Sequence, residues 1–350
     1  MDLLTFFIGS YTMFITPDFG GTGQGIYTVQ LNTKTGELIT LHTQNTLNPS
    51  YLTISNDNKF LYCNTEVDMG DNPKVQSYKI KEDFSLEFLN EQPVSGGYPC
   101  HIETYNDNIL VASYGTGNVL QFPLNESKEL MRSKKNYHHV GSSINEERQE
   151  GPHAHQVAIH PNKRDIYVCD LGIDTIKAYR FQDSELVPNQ AKDILVTKGG
   201  GPRHMVFNKE GSLAYVLNEL TGTVSVLKYE NDMFKETSTH SALPEDYKGI
   251  PSGSAIRIHP EGTFLYTANR KLEAITIFNI KRDKLELIDY QYTRGDEVRE
   301  FNITPDGKWL IACHQNSHDT VVYKIKSDGK LTETYRSKEI LSPVCIVFPE

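Results

Sequence analysis

Hydrophobic and polar residues alternate along most of the chain in short runs separated by polar turns. Val, Ile, Tyr, Phe and Thr dominate these runs, with clear examples at residues 263–268 and 320–325. Alternation with a period of two in β-branched and aromatic residues is typical of β-strands. Apolar positions with the helical period of 3.6 residues are nearly absent, so we expect few helices.

One arrangement of strand, polar turn and strand recurs along the sequence. Its copies begin at Pro49, Pro99, Ala154, Pro202, Gly253, Val298 and Pro343, at spacings of 45 to 55 residues. Repeats of this length that hold several short strands are typical of β-propeller blades. The chain is therefore predicted to be all-β: a seven-bladed β-propeller of four-stranded antiparallel blades that forms one domain over residues 1–350.

The two ends of the chain complement each other. The last repeat, residues 343–348, has room for a single strand, whereas residues 5–9, 25–31 and 38–43 have the pattern of three strands. We therefore expect one blade to combine strands from both termini. This would close the ring and remove exposed sheet edges.

A polar insertion of mixed charge spans residues 125–150 and accounts for the longest spacing between repeats. We interpret it as a long loop before the third repeat. Such a loop can act as a lid over a functional site, and a solvated loop without that role fits the composition equally well.

Composition excludes some classes of function. The formal net charge of −10 at pH 7 and the pI of about 5.7 argue against a nucleic-acid-binding surface. No apolar run is long enough to span a membrane, and the N-terminus lacks the features of a signal peptide. The five cysteines lack CxxC spacing, which predicts reduced thiols and a cytoplasmic location. No compact Cys and His set suggests a metal, no cofactor is expected, and the oligomeric state stays open.

Equivalent positions in successive blades form rings around the channel of a propeller, so the repeats indicate which side chains face it. The residues after the repeat starts, here called the first-strand ring, are Ser50, Cys100, His155, Arg203, Ser254, Arg299 and Val344. The residues at the ends of the second strands, here called the second-strand ring, are Tyr11, Glu66, Tyr114, Leu171, Glu219, Arg270 and Gln315. In one sector the two rings bring together His155, Arg203, Glu219 and Arg270.

This sector has the chemistry of an acid–base site for an anion. Two arginines can bind a carboxylate or phosphate, and a histidine can transfer a proton near neutral pH. Glu219 should have a low pKa beside the arginines, so we assign His155 as the base and Glu219 as the group that orients it or a substrate hydroxyl. The candidate substrate-binding residues are His153, His204, Asn269 and Arg299. The same charges could instead form structural salt bridges between blades.

Several segments together resemble the seven-bladed lactonase family, which includes propeller-type 6-phosphogluconolactonases and carboxy-cis,cis-muconate cyclases. The resemblance runs along the whole chain. It is most specific in Arg148-Gln-Glu-Gly-Pro-His-Ala-His155, Gly201-Pro-Arg-His204 and Asn218-Glu-Leu220. In the muconate-cyclising branch of this family a His, an Arg, a Glu and a second Arg are implicated in the active site. The resemblance places these roles on His155, Arg203, Glu219 and Arg270, with His153 as the alternative position for the histidine.

Two positions depart from the family pattern. Val298 precedes Arg299 where family members often have proline. Lys271 and Leu272 follow Arg270 where a Gly-His pair is common. The second departure removes a histidine from the rim of the site and leaves the substrate open.

The resemblance implies hydrolysis of a sugar-acid lactone, with 6-phosphogluconolactone of the pentose phosphate pathway as the first substrate to consider. The partner would be a small anionic lactone or carboxylate, with no role for nucleic acid or membrane. Two alternatives stay open. One is lactonisation of a carboxymuconate, or the reverse reaction, with the same base and cations. The other is a non-catalytic propeller that binds a metabolite or a protein and does not need His155.

Overall fold

The computed structural model describes residues 2–349, which form antiparallel β-sheets with only three short 3-10 helices. There are seven sheets, and each contains a run of four antiparallel strands. The first strands of successive sheets contact each other in a closed cycle, so the sheets are blades around a central channel. The predicted seven-bladed propeller is confirmed. Within the described residues, no helix has the length and apolarity needed to cross a membrane.

The blades are numbered in chain order, and their strands are given from the channel outwards. Blade 1 consists of Leu52–Ile54, Phe60–Asn64, Lys74–Ile80 and Leu86–Pro93. Blade 2 consists of Pro99–Tyr105, Asn108–Ser113, Asn118–Pro123 and Lys135–His138. Blade 3 consists of Ala154–Ile159, Asp165–Asp170, Thr175–Gln182 and Glu185–Pro188, with Ile194–Leu195 as an extra strand. Blades 4 and 5 consist of Pro202–Phe207, Leu213–Asn218, Thr223–Glu230 and Met233–Ser241; and Gly253–Ile258, Phe264–Asn269, Ala274–Lys281 and Lys284–Tyr292. Blades 6 and 7 consist of Val298–Ile303, Trp309–His314, Thr320–Ile325 and Leu331–Ser337; and Pro343–Val347, Leu3–Ser10, Gly25–Asn32 and Leu38–Asn45. The 3-10 helices are Met69–Asp71, Leu171–Ile173 and Gln190–Lys192.

Blade 7 joins the two ends of the chain, as the sequence predicts. Its innermost strand comes from the C-terminus and pairs with the first strand of the chain, with Ile346 opposite Ile8 and Cys345 opposite Gly9. The ladder hydrogen bonds of this pair close the ring, so the first strand of the chain is paired on both of its edges.

The prediction that residues 125–150 form one long loop is wrong in part. Lys135–His138 is the outermost strand of blade 2 and pairs with the third strand, with Tyr137 opposite Val119. Its sequence is polar except for Tyr137, and its residues alternate between half-buried and exposed. An outermost strand needs little apolar surface, which is why hydrophobic patterning did not reveal this one.

The hydrophobic core is divided among the interfaces between neighbouring blades. Between blades 6 and 7, for example, Trp309 and Val322 pack with Phe6 and Tyr27. Six comparable clusters join the other blades. Because this packing holds the frame together, the residues that face the channel are free to be polar or charged.

Candidate active site

Six of the seven blades begin with an irregularity in the ladder, and it falls on the first-strand ring. The pairing skips His155 in blade 3 and Arg203 in blade 4. The residues skipped in blades 2, 5, 6 and 7 are Cys100, Ser254 with Ala255, Arg299, and Val344. A β-bulge leaves its extra residue outside the ladder and re-aims the side chain. The bulges therefore explain how the residues of the first-strand ring come to face the channel.

The second-strand ring lies at the same end of the channel. The Glu219 N–H donates to the Gly201 carbonyl and the Arg270 N–H to the Ser252 carbonyl, each at 2.8 Å. Each acceptor directly precedes the first strand of the same blade. These bonds bring the end of the second strand next to the start of the first, so both rings meet at one mouth of the channel.

A cavity of about 420 Å³, here called the front cavity, opens at this mouth. Its lining residues are Ile15, Thr16, Phe19, Glu66, Tyr98, Cys100, Tyr114, Arg148, His155, Glu219, Ser252, Arg270, Glu297 and Arg299. A cavity of this size suits a small organic ligand. Three of the four predicted catalytic residues, His155, Glu219 and Arg270, are part of this lining.

Glu219 lies at the centre of three guanidinium groups. Its Oε1 is 2.8 Å from Arg148 Nη2 and 2.9 Å from Arg270 Nη2, and its Oε2 is 3.1 Å from Arg203 Nε. Burial alone would raise the pKa of Glu219, but Arg270, Arg203 and Arg148 outweigh burial and hold the pKa well below its usual range. The predicted low pKa is confirmed. Glu219 is therefore a carboxylate at neutral pH and can orient or stabilise a cation.

Arg203 is not part of the cavity lining, and only 4% of its side chain is exposed. Its Nη1 donates to the Ser254 carbonyl and lies 3.3 Å from Nε2 of His204. Its Nε faces Glu219 as an ion pair without hydrogen-bond geometry. Burial and then the charge of Arg270 lower the pKa of Arg203 to about 10, so the side chain stays cationic at neutral pH. Arg203 can thus act on a ligand through its neighbours Glu219 and His155.

His155 is a buried lining residue of the front cavity. Its Nδ1 is 3.8 Å from Cys100 Sγ, and its ring centre is 5.6 Å from that of Tyr114. Burial, followed by the positive charge of Arg203, lowers the pKa of His155 well below its ordinary value of 6.5. The imidazole is therefore neutral at pH 7, and one of its ring nitrogens can accept a proton.

The opposite wall, from blades 6, 7 and 1, holds a second set of charges. Arg299 Nη2 donates to the Tyr11 hydroxyl at 2.8 Å, and that hydroxyl donates to Glu66 Oε2 at 2.8 Å. The Arg299 guanidinium also lies 5.1 Å from the centre of the Phe19 ring. Burial raises the pKa of Tyr11 well above its ordinary value of 10, so the hydroxyl stays protonated. The repeat alignment placed Tyr11 and Glu66 in the second-strand ring but did not select them.

His153 does not line the front cavity. Its ring stacks on Tyr114 with centres 4.3 Å apart. Its Nδ1 is 2.9 Å from the Tyr114 carbonyl oxygen, and its Nε2 is 3.1 Å from Glu150 Oε1. Of the two histidines in the Pro-His-Ala-His motif, His155 is therefore the one that faces the cavity.

Asn269 and His204, two further predicted substrate-binding residues, also lie outside the lining. Asn269 Oδ1 accepts hydrogen bonds from the Lys271 and Leu272 N–H groups at 3.2 and 3.0 Å, which stabilises the turn that follows Arg270. His204 lies deeper in the channel, with its ring centre 5.2 Å from that of His155. Arg299 is the one predicted substrate-binding residue that reaches the cavity.

Arg148 is a cavity residue that the repeat alignment missed. It belongs to residues 139–152, here called the mouth segment, which follow the outermost strand of blade 2. Two buried side chains anchor this segment. His139 Nδ1 is 2.5 Å from Asp170 Oδ2, and Gln149 Nε2 donates to Asp174 Oδ1 at 2.7 Å. Within residues 2–349 this is the longest connection from an outermost strand to the next blade, so comparison of the repeats offers no counterpart of Arg148, and the available signal was its place at the start of the family-like motif.

The front cavity offers positive charge for an anion, donors for a developing oxyanion and a neutral imidazole that can take a proton. Among residues 2–349, no three His, Cys, Asp or Glu side chains are grouped so as to hold a metal ion. The arrangement fits proton transfer next to a bound anion.

A closed seven-bladed propeller with a cavity of this size and chemistry at one mouth has a site suited to a small ligand. Residues 5–348 match the family model described as "Lactonase, 7-bladed beta-propeller". The chain therefore belongs to the lactonase family of seven-bladed β-propellers, which confirms the resemblance seen in its motifs.

Named relatives cover almost the whole chain. A 6-phosphogluconolactonase of Bacillus subtilis (strain 168) is 31% identical over 351 residues, which cover 98% of this chain and 97% of the relative. A crystal structure of a Bacteroides fragilis protein, provisionally described as a 6-phosphogluconolactonase, has a TM-score of 0.91 at 31% identity and covers 99% of this chain and 98% of its own. The periplasmic gluconolactonase of Pseudomonas aeruginosa also has a TM-score of 0.91, at 25% identity and 99% coverage of both chains.

Proposed function

We propose that this protein hydrolyses a sugar-acid lactone, with 6-phosphogluconolactone as substrate and 6-phosphogluconate as product. The observation that carries the proposal is a neutral, buried His155 in a cavity that is also lined by Arg148, Arg270 and Arg299. Three glutamates line the same cavity, and Glu219 contacts two of these arginines as well as the buried Arg203 behind it. Guanidinium groups that face a small cavity can bind the oxygens of an anionic substrate.

In the proposed reaction, His155 takes a proton from a water molecule as that water attacks the lactone carbonyl. The carbonyl oxygen becomes an oxyanion, which the lining guanidiniums of Arg270 and Arg299 are positioned to stabilise. Collapse of the tetrahedral intermediate breaks the bond to the ring oxygen. The imidazolium returns its proton to that oxygen, so the products are a free hydroxyl and a carboxylic acid, which releases its proton to water and becomes a carboxylate.

Glu219 and Arg203 support this proton transfer through opposite effects on the pKa of His155. The negative charge of Glu219 favours the imidazolium that forms transiently on His155, because it raises the pKa of the ring. The positive charge of Arg203 lowers that pKa and keeps the resting imidazole neutral. Arg203 is thus a positioning residue, since it does not line the cavity.

The relatives support both a phosphorylated and an unphosphorylated sugar lactone. The Bacillus subtilis relative is named a 6-phosphogluconolactonase, whereas the Pseudomonas aeruginosa neighbour is named a periplasmic gluconolactonase. We favour the phosphorylated substrate because three arginines line the cavity and guanidinium groups bind phosphate oxygens well. We also propose a cytoplasmic location, since all five cysteines are free and buried, as is usual in a reducing compartment.

The test is hydrolysis of freshly generated 6-phosphoglucono-δ-lactone by the purified protein, beside glucono-δ-lactone. His155→Ala should lower kcat by about 10²- to 10⁴-fold, the usual contribution of a general base. Arg203→Ala should also lower turnover, with circular dichroism used to verify that both variants are folded. A wild-type rate no faster than spontaneous opening of either lactone, or full turnover by His155→Ala, would contradict the proposal and direct the assay to carboxymuconate.

A further inference from the structure

The three arginines that line the front cavity and Arg203 behind them differ in how exposed their guanidinium groups are and in how many partners those groups have. Arg203 and Arg270 have only 4% and 10% of their side chains exposed, and Arg299 is held by Tyr11. The side chain of Arg148 is 43% exposed and lies at the outer edge of the cavity. Arg148 is therefore the guanidinium that an incoming ligand meets first and that can move most easily.

The bond between Arg148 and Glu219 can be exchanged for a bond to a ligand without leaving a buried charge alone. Arg148 Nη2 shares Glu219 Oε1 with Arg270 Nη2, and Arg203 Nε faces the other oxygen. If Arg148 turns away, Glu219 keeps two cationic neighbours. The partner that Arg148 also contacts, the Tyr114 hydroxyl at 3.2 Å, borders the cavity and can still accept or donate to solvent.

Buried hydrogen bonds hold the backbone next to Arg148 in place, so its side chain can change direction while the backbone stays fixed. Gln149 is fully buried and donates to the Leu171 carbonyl at 2.9 Å and to Asp174 Oδ1 at 2.7 Å. Asp174 in turn accepts the N–H groups of Gly199 and Gly201 at 2.6 and 2.8 Å, which ties the mouth segment to the start of blade 4. This network holds the segment in place over the mouth.

We propose that Arg148 binds the phosphate of a phosphorylated sugar lactone and sets the preference for phosphorylated over unphosphorylated substrates. The inference rests on the proposed function and adds a specificity residue to it. His155 acts on the lactone carbonyl deep in the cavity, and the phosphate of the substrate is carried at the other end of the sugar chain. The outermost guanidinium is then the one that meets the phosphate, and its planar fork matches phosphate oxygens in a bidentate manner.

The test compares wild type with Arg148→Met on both lactones and measures binding of 6-phosphogluconate and gluconate by calorimetry. Arg148→Met should weaken kcat/KM for the phosphorylated lactone and affinity for 6-phosphogluconate by about 10- to 100-fold, mostly through KM. Values for the unphosphorylated compounds should change much less, because Glu219 keeps Arg270 and Arg203 as cationic neighbours when Arg148 is replaced. Arg148→Lys should recover part of the loss.

Arg132→Met is the matched control, since Arg132 is an exposed arginine of the same insertion and does not line the cavity. It should leave both ligands unaffected. The proposal is overturned if wild type shows no preference for the phosphorylated ligand, or if Arg148→Met weakens both ligands equally or neither. If the proposed function is wrong, neither lactone is turned over. Binding of 6-phosphogluconate and gluconate then still measures the contribution of Arg148 directly.

Discussion

The two ends of the central channel are built on the same innermost strands but balance their charges differently. At the front, three arginines and three glutamates line the cavity, and Glu219 alone contacts Arg148, Arg270 and the buried Arg203. At the rear, a second opening is lined by Tyr51, His101 and Arg257, among others. There Arg257 Nη2 lies 3.0 Å from Glu300 Oε1, and Nη1 donates to the Ile256 carbonyl at 2.8 Å.

At the front, a guanidinium group can bind a ligand, whereas at the rear the guanidinium group of Arg257 is already paired within the fold. The rear guanidinium and its carboxylate form a one-to-one ion pair. At the front, Glu219 has three guanidinium neighbours, so one of them can turn to a ligand anion while Glu219 keeps the other two. A carboxylate that is shared by several guanidinium groups is therefore a better sign of an anion site than the presence of arginine itself.

Replacing one arginine at each end should give the largest contrast. Arg270 and Arg257 both belong to blade 5, one at the front cavity and the other at the rear opening. Arg270→Met should lower kcat/KM for the lactone by about 10²- to 10³-fold, as expected for loss of an oxyanion donor. Arg257→Met should keep turnover per folded molecule within a few-fold. Equal losses of activity in the two variants would contradict the proposal that only the front end of the channel takes part in turnover.

The same two variants should show the opposite order in stability. Arg257→Met leaves Glu300 buried without its ion-pair partner, which should cost about 3 kcal/mol in the free energy of unfolding. Arg270→Met leaves Glu219 with Arg148 and Arg203, and Glu297 with Lys271, so the cost should stay below about 1 kcal/mol, apart from lost packing. Urea unfolding measures both values. A front variant that is less stable than the rear variant would show that the front cluster is structural.

The smallest expected effect concerns pH and should not distinguish the ends. Burial lowers the pKa of both His155 at the front and His101 toward the rear, with Arg203 and Arg257 respectively adding to the shift. The unfolded chain takes up a proton on each histidine below pH ~6.5 while the folded chain does not, so stability is full above that pH and falls as the pH drops. Each residue should contribute about 1 kcal/mol to the loss between pH 6.5 and 5.5.

The corresponding experiment is urea unfolding of His155→Asn and His101→Asn at both pH values. Each variant should lose less stability on acidification than wild type, by about 1 kcal/mol, and the two reductions should match. Only His155→Asn should also lose lactone turnover. A wild-type stability that does not change between these pH values would contradict the assignment of neutral, buried imidazoles.

The repeats predicted much of the candidate site because a propeller places equivalent residues in equivalent places. His155, Glu219, Arg270 and Arg299 come from the two rings and reach the front cavity. Arg148 could not be found in this way, since it lies on a connection for which comparison of the repeats offers no counterpart. The strand Lys135–His138 was missed for a related reason: its pairing is set by the neighbouring strand, not by an apolar pattern of its own.

The sequence by itself determined the fold, because the period of the strands and the complementary ends leave few ways to bury the apolar faces except in seven blades closed as a ring. It also determined which positions of the two rings carry charge, since His155, Arg203, Glu219, Arg270 and Arg299 were all found by comparing the repeats. Only the tertiary structure decided which charges share partners, because ion pairs such as Arg148 with Glu219 join residues from different blades. It also decided, through bulges that leave no mark in hydrophobic patterning, that the pairing skips His155 and Arg203 and that His155 faces the cavity while Arg203 lies behind it.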